Sequence, residues 1–168
     1  MHYAWPSAGA CLRITGGSCH PDNRFAYQAI TGNIFFDTYD APKLIKKGQF
    51  DELILRAMGV AIGFGNLNYP AGLVDTGKYV GDNGKAIWSE DWGCTTDAPP
   101  LQFFFSLALM GFGYTWDASC LTNELMAYSG PFFPDGFETP PPKAKLSKLT
   151  IAAFEDLGFE VNYDAADD

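Results

Sequence analysis

From Phe50 to Ile62 the apolar residues recur at helical spacing. Phe50, Leu53, Ile54, Ala57, Met58, Ala61 and Ile62 follow the i, i+3, i+4, i+7 rule and predict one amphipathic helix. Gly63 and Gly65 then stop it, because glycine takes the left-handed closing conformation at little cost. Ahead of it, Ala41 to Lys47 reads as a helical turn ended by Gly48. Asn33 to Asp37, NIFFD, reads as a short strand. Near the other end Ser147 has the character of an N-cap for a helix over Lys148 to Leu157. Leu149, Ala152, Ala153 and Leu157 form its apolar face, and Gly158 ends it. Phe159 to Tyr163, FEVNY, alternates like a strand. The first thirty residues, Asn66 to Pro100 and Pro134 to Pro142 read mainly as loop. Turn signals stand at Tyr69-Pro70 and Asp82-Asn83-Gly84, with a helical turn at Ala86 to Trp88.

The longest apolar stretch, Leu101 to Phe112 (LQFFFSLALMGF), falls well short of the roughly 20 residues that a membrane helix needs. No membrane span is therefore predicted. The N-terminal MHYAWPSAGA lacks the basic region and apolar core of a signal peptide. With 168 residues, 47% hydrophobic and 18% charged, the chain reads as one folded domain over 1–168. Its net charge of −9 marks an acidic soluble protein and argues against nucleic acid as a partner, since phosphates require Lys and Arg. The cysteines are Cys11, Cys19, Cys94 and Cys120, with no C-x-x-C spacing. Their even number fits two disulfides in an oxidising compartment, and it also fits four buried thiols in a reducing one.

Catalytic motifs are sparse. There is no G-x-S-x-G and no P-loop, Cys19-His20 is an adjacency in a loop, and Glu90-Asp91 reads as solvated charge. One frame does stand out, in Leu53 to Gly65, LILRAMGVAIGFG. A zinc peptidase of the H-E-x-x-H type places two imidazoles one helical turn apart, a Glu beside the first as general base, and a Gly three residues after the second. On that frame Arg56 and Val60 take the two His positions, Ala57 takes the Glu position, and Gly63 falls on the Gly.

Further segments match in order. NELM at Asn123 to Met126 resembles the Met-turn of the leishmanolysin family of metallopeptidases, and LSKLTIAAFEDLGFEVNYDAAD at Leu146 to Asp167 resembles the segment that follows it. GNIFFDTYD, IGFGNL and WSEDWGC are similar to algal-type and related members. The resemblance covers about residues 30 to 168. It implies a metzincin-like α+β catalytic-domain fold with an active-site helix, a cleft, and a C-terminal helix plus strand. The little chain ahead of the helix implies an N-terminal sheet that is short or incomplete, with a partner chain as one way to complete it.

In that family the third His ligand precedes a Trp. Here Thr115 stands in its place beside Trp116. Arg56, Ala57, Val60 and Thr115 thus replace all three ligands and the base, whereas Gly63, Trp116, Glu124 and Met126 keep the scaffold. The resemblance therefore implies a member that has lost its zinc and its catalysis. The chain has only two histidines, His2 and His20, so a three-His site would need ligands from another chain. A pseudo-peptidase that binds proteins or assembles is the expectation; a structural subunit of a larger complex and an active zinc endopeptidase are the alternatives. The family habit also implies secretion. Cys94 and Cys120 resemble cysteines of algal-type members, which implies a Cys94–Cys120 disulfide and leaves Cys11–Cys19 as the other pair. Three roles stay open for the apolar run with Phe103, Phe104, Phe105 and Leu107: filling the vacated cleft against Ala57, Val60 and Phe64, forming an exposed interface, or forming a rearranged core strand.

Overall fold

In the computed structural model, residues 41–64, 72–88, 94–106, 111–128 and 143–167 are described. The architecture is mixed α and β, with helices around two small sheets. Helix α1 spans Ala41–Lys47 and turns at Gly48, whose φ is 69°. Leu44 is its buried residue. Helix α2 spans Phe50–Ile62, as the periodicity predicts. Asp51 and Glu52 lie in its first turn, where carboxylates favour the positive end of the helix dipole. Gly63 closes it at φ 135°, with its N–H directed at the carbonyls of Gly59 and Val60.

A hairpin follows in the region read as loop. Strands β1 (Val74–Asp75) and β2 (Lys78–Tyr79) pair antiparallel across Thr76-Gly77, both at positive φ (46° and 78°). Two consecutive positive φ values give the turn whose twist suits a tight hairpin. Asp82-Asn83-Gly84 is likewise not a free turn. It opens helix α3, Asp82–Ile87, so the helical turn expected at Ala86 to Trp88 starts earlier and ends at Ile87. The cause is distant in sequence. The Asp156 carboxylate accepts the N–H groups of Asn83 and Gly84, each at 3.0 Å, and the Tyr79 hydroxyl at 2.8 Å. A side chain at Gly81 or Gly84 would overlap this arrangement, striking Asp156 and Tyr79 in the first case and the Tyr79 ring in the second.

The two ends of the apolar run lie in two antiparallel strands. Strand β3, Leu101–Ser106, pairs with β4, Gly111–Asp117, with Leu101 opposite Trp116 and Gln102 opposite Thr115. Strand β5, Ala127–Tyr128, joins the other edge of β4 in parallel, giving the order β3-β4-β5. A disulfide connects Cys94 to Cys120, with Cα atoms 5.7 Å apart. It ties the approach to β3 to the turn that follows β4. Cys11, Cys19 and NIFFD lie outside the described residues.

Helix α4 spans Lys148–Asp156, and Ser147 caps it by accepting the Thr150 N–H. Leu149, Ile151, Ala152 and Ala153 are buried, and Gly158 ends the element at φ 94°. The strand expected over Phe159 to Tyr163 does not form. Phe159 folds back on Phe154, with ring centroids 5.9 Å apart. Asn162 accepts the Asp164 N–H and starts a 3-10 turn at Tyr163–Ala165. A period-2 pattern needs a neighbouring strand to complete it, and this segment has none among the described residues. The Tyr163 hydroxyl donates to Glu155, and its pKa is pushed up to about 12, by desolvation first and then by that bond.

One core joins these parts. Val60 and Phe64 from the α2 region, Tyr79 from β2, Leu101 from β3, Trp116 from β4, and Met126, Leu149 and Ala153 pack together. Trp116 is fully buried and meets Phe64 and Tyr79 edge-on, with centroids 5.2 and 5.3 Å apart. Such pairs add about 0.5–1.5 kcal/mol each beyond the area they bury.

Candidate functional site

Helix α2 carries Arg56, Ala57 and Val60, the positions set against a zinc-protease frame in the sequence. Arg56, Ala57 and Val60 are all buried. Gly59, between them, admits Met126. A Cβ there would lie 2.9 Å from the Met126 sulfur and 3.1 Å from its methyl carbon. The methionine of NELM therefore sits directly against the helix that carries the frame. Val60, Trp116 and Met126 share the core, so three of the sequence-selected positions converge.

Thr115 is buried in β4, one residue before Trp116. Strand alternation puts the two side chains on opposite faces, and Trp116 faces the core. The Thr115 hydroxyl makes no hydrogen bond among the described residues. Phe103 is 53% exposed and packs edge-on against Tyr114 at 5.4 Å. Nothing is described for the side chains of Phe104 and Phe105, and Leu107 lies outside the described residues.

A feature the motif comparison undervalues is Glu124. It is 4% exposed, at the turn before β5. One carboxylate oxygen accepts the hydroxyls of Ser147 (2.9 Å) and Thr150 and, more weakly, the Ser147 N–H (3.4 Å). The other accepts the Met126 N–H. Thr150 also accepts the Trp116 indole N–H at 2.7 Å, and Ser147 accepts the Thr150 N–H at 3.2 Å. Both hydroxyls thus direct their protons at Glu124. Burial raises the Glu124 pKa, and these hydrogen bonds oppose the rise.

Arg56 is the buried cation of the same region. Burial lowers its pKa, while the carboxylates of Glu124 and then Glu52 favour its charge. Guanidinium stays protonated under ordinary conditions. A dication placed beside it would be repelled by about 4 kcal/mol per unit charge, at roughly 4 Å and an effective dielectric of about 20. Ala57 and Val60 offer no lone pair, and Thr115 offers one neutral hydroxyl. These residues do not fit zinc. Among the described residues no three His, Cys, Asp or Glu side chains gather in a metal-holding group.

A cavity of about 310 Å³ opens beside Glu124, lined by Asn123, Lys145, Ser147, Lys148 and Asp167 among others. Beyond its first turn, where Asp51 is exposed, the outer face of α2 is apolar. Leu55, Met58 and Ile62 are 52%, 49% and 42% exposed, at i, i+3, i+7 spacing. Comparison with protein-family models, curated proteins and solved structures returns no match.

Proposed function

We propose that the chain is a catalytically inactive relative of the leishmanolysin-like metallopeptidases, with a metzincin-like fold kept for protein binding or assembly. The observation that carries this reading is the seat of Met126 against Gly59, inside a helix whose ligand and base positions hold Arg56, Ala57 and Val60. A methionine turn beneath a helix is the geometry of a metzincin site, and a buried guanidinium is incompatible with the metal that such a site holds. The exposed Leu55, Met58 and Ile62 on one face of α2 support the binding half, because an exposed apolar patch marks a contact surface. The Cys94–Cys120 disulfide fits an oxidising, secreted setting.

Purified protein incubated with zinc and freed of excess is expected to retain almost none and to cleave no peptide. One tightly held zinc per chain would reopen the peptidase reading. Sedimentation at rising concentration is expected to report association that Met58→Glu reduces. A strict monomer at every concentration would sink self-assembly as the form the binding takes.

A further inference from the structure

We propose that Asn83-Gly84 is a site of spontaneous deamidation that the Asp156 carboxylate holds shut, so that loss of the Asn83 amide records opening of the joint between α3 and α4. Of the asparagines in the chain, only Asn83 is followed by glycine. The reaction is intramolecular and its reagent is water. The Gly84 nitrogen bonds to the carbonyl carbon of the Asn83 side chain. The bond from that carbon to the amide nitrogen breaks, and the proton shed by Gly84 leaves with it as ammonia. Water then opens the cyclic imide at either carbonyl, giving an aspartyl or an isoaspartyl residue. Nothing is oxidised or reduced. Asparagine is among the thermolabile residues, and a following residue without a Cβ leaves the approach of its nitrogen least hindered.

The fold acts on that step in three ways. First, the nucleophile is occupied. The Gly84 N–H donates to one Asp156 oxygen and the Asn83 N–H to the other, each at 3.0 Å. To attack, the Gly84 nitrogen has to shed its proton and take on negative charge, and a carboxylate at that distance opposes a second anion. Second, the backbone is held. Asn83 lies within α3, where the Lys85 N–H donates to the Gly81 carbonyl and the Trp88 N–H to the Gly84 carbonyl, both at 3.0 Å. A helical ψ keeps the following nitrogen out of line with the side-chain carbonyl carbon. Third, the glycine is obligatory. A Cβ at Gly84 would lie 2.4 Å from Cε1 of the fully buried Tyr79 ring. Packing thus demands the neighbour that makes Asn83 most reactive, and Asp156, which also accepts the Tyr79 hydroxyl at 2.8 Å, restrains it. An isoaspartyl residue would route the main chain through an extra methylene, which α3 cannot accommodate. Either product adds a carboxyl group to a residue whose N–H is bonded to Asp156. The inference rests on the α3–α4 joint and not on the proposed function.

The test follows Asn83 by peptide mass and chromatography, which separate the amide, aspartyl and isoaspartyl forms. Wild-type protein is aged at mildly alkaline pH, folded and unfolded in urea, beside Asp156→Ala, Asp156→Asn and Leu44→Ala. Leu44 is buried in α1, so its truncation controls for destabilisation away from the joint. Folded wild type is expected to lose the Asn83 amide at least about tenfold more slowly than the unfolded chain, because the reaction waits for the joint to open. The Asp156 variants, with folding checked by circular dichroism, are expected to convert at least about tenfold faster than folded wild type, and Leu44→Ala to stay near it. Equal loss in folded and unfolded wild type overturns the proposal, and that comparison needs no variant. So does a folded Asp156 variant that keeps Asn83 as well as wild type does, or a Leu44→Ala protein that converts as fast as Asp156→Ala. If Asp156→Ala does not fold, Asp156→Asn carries the same reading, since it keeps the size and removes the charge. If neither folds, wild type in urea below its unfolding transition decides. Conversion that rises there supports a local joint, and conversion that rises only with global unfolding overturns it.

Discussion

Glu124→Ala is expected to lower stability by about 3–5 kcal/mol, a large share of what a domain of this size has. The loss comes less from the missing side chain than from what it abandons. The hydroxyls of Ser147 and Thr150 and the N–H groups of Met126 and Ser147 would all face a void. Each buried donor left without a partner costs about 1–3 kcal/mol, although the hydroxyls relax by rotating. Arg56 would also lose the larger of the two carboxylate influences that favour its charge. Glu124→Gln is milder, at about 1–3 kcal/mol. An amide can accept through its oxygen from Ser147 and Thr150, but its NH₂ then confronts the Met126 N–H. Equilibrium denaturation in urea reads both. An alanine variant within about 0.5 kcal/mol of wild type would mean that the network contributes nothing to stability.

Reduction of Cys94–Cys120, or replacement of both residues by serine, is expected to cost about 3–4 kcal/mol. The bridge spans a sequence separation of 26, and that loop contains the β3–β4 hairpin. Chain entropy returned to the unfolded state accounts for the estimate. The effect should appear as a fall in denaturation midpoint under reducing conditions, with the m-value rising as the unfolded chain expands. A midpoint that ignores reductant would exclude the bridge as a stabilising element.

What the sequence discloses follows the distance over which each element is determined. Helix α2 is legible to both ends because its periodicity and Gly63 are local, and α4 is legible from Ser147 and its apolar face. Helix α3 is not. DNG reads as a turn, and the group that makes it a helix, the Asp156 carboxylate, lies 72 residues beyond Gly84. FEVNY fails in the opposite sense: its alternation is local, but strand formation needs a neighbour. The β1–β2 hairpin escapes notice because two-residue strands carry almost no pattern. At the candidate site, Arg56, Ala57, Val60 and Met126 are readable from spacing and resemblance. The centrality of Glu124 is not, because it depends on partners at 147 and 150.

The Asp156 cap also bears on how the chain is made. Synthesis delivers Tyr79 and the start of α3 first, and the carboxylate that fixes them emerges 77 residues after Tyr79. Until then the N–H groups of Asn83 and Gly84 have only water to bond, and the Tyr79 hydroxyl lacks its protein acceptor. The middle of the protein therefore acquires its shape retroactively, from near the end of the chain. A nascent chain paused short of Asp156 would present an unsettled, aromatic-rich middle to whatever chaperone or neighbour is within reach.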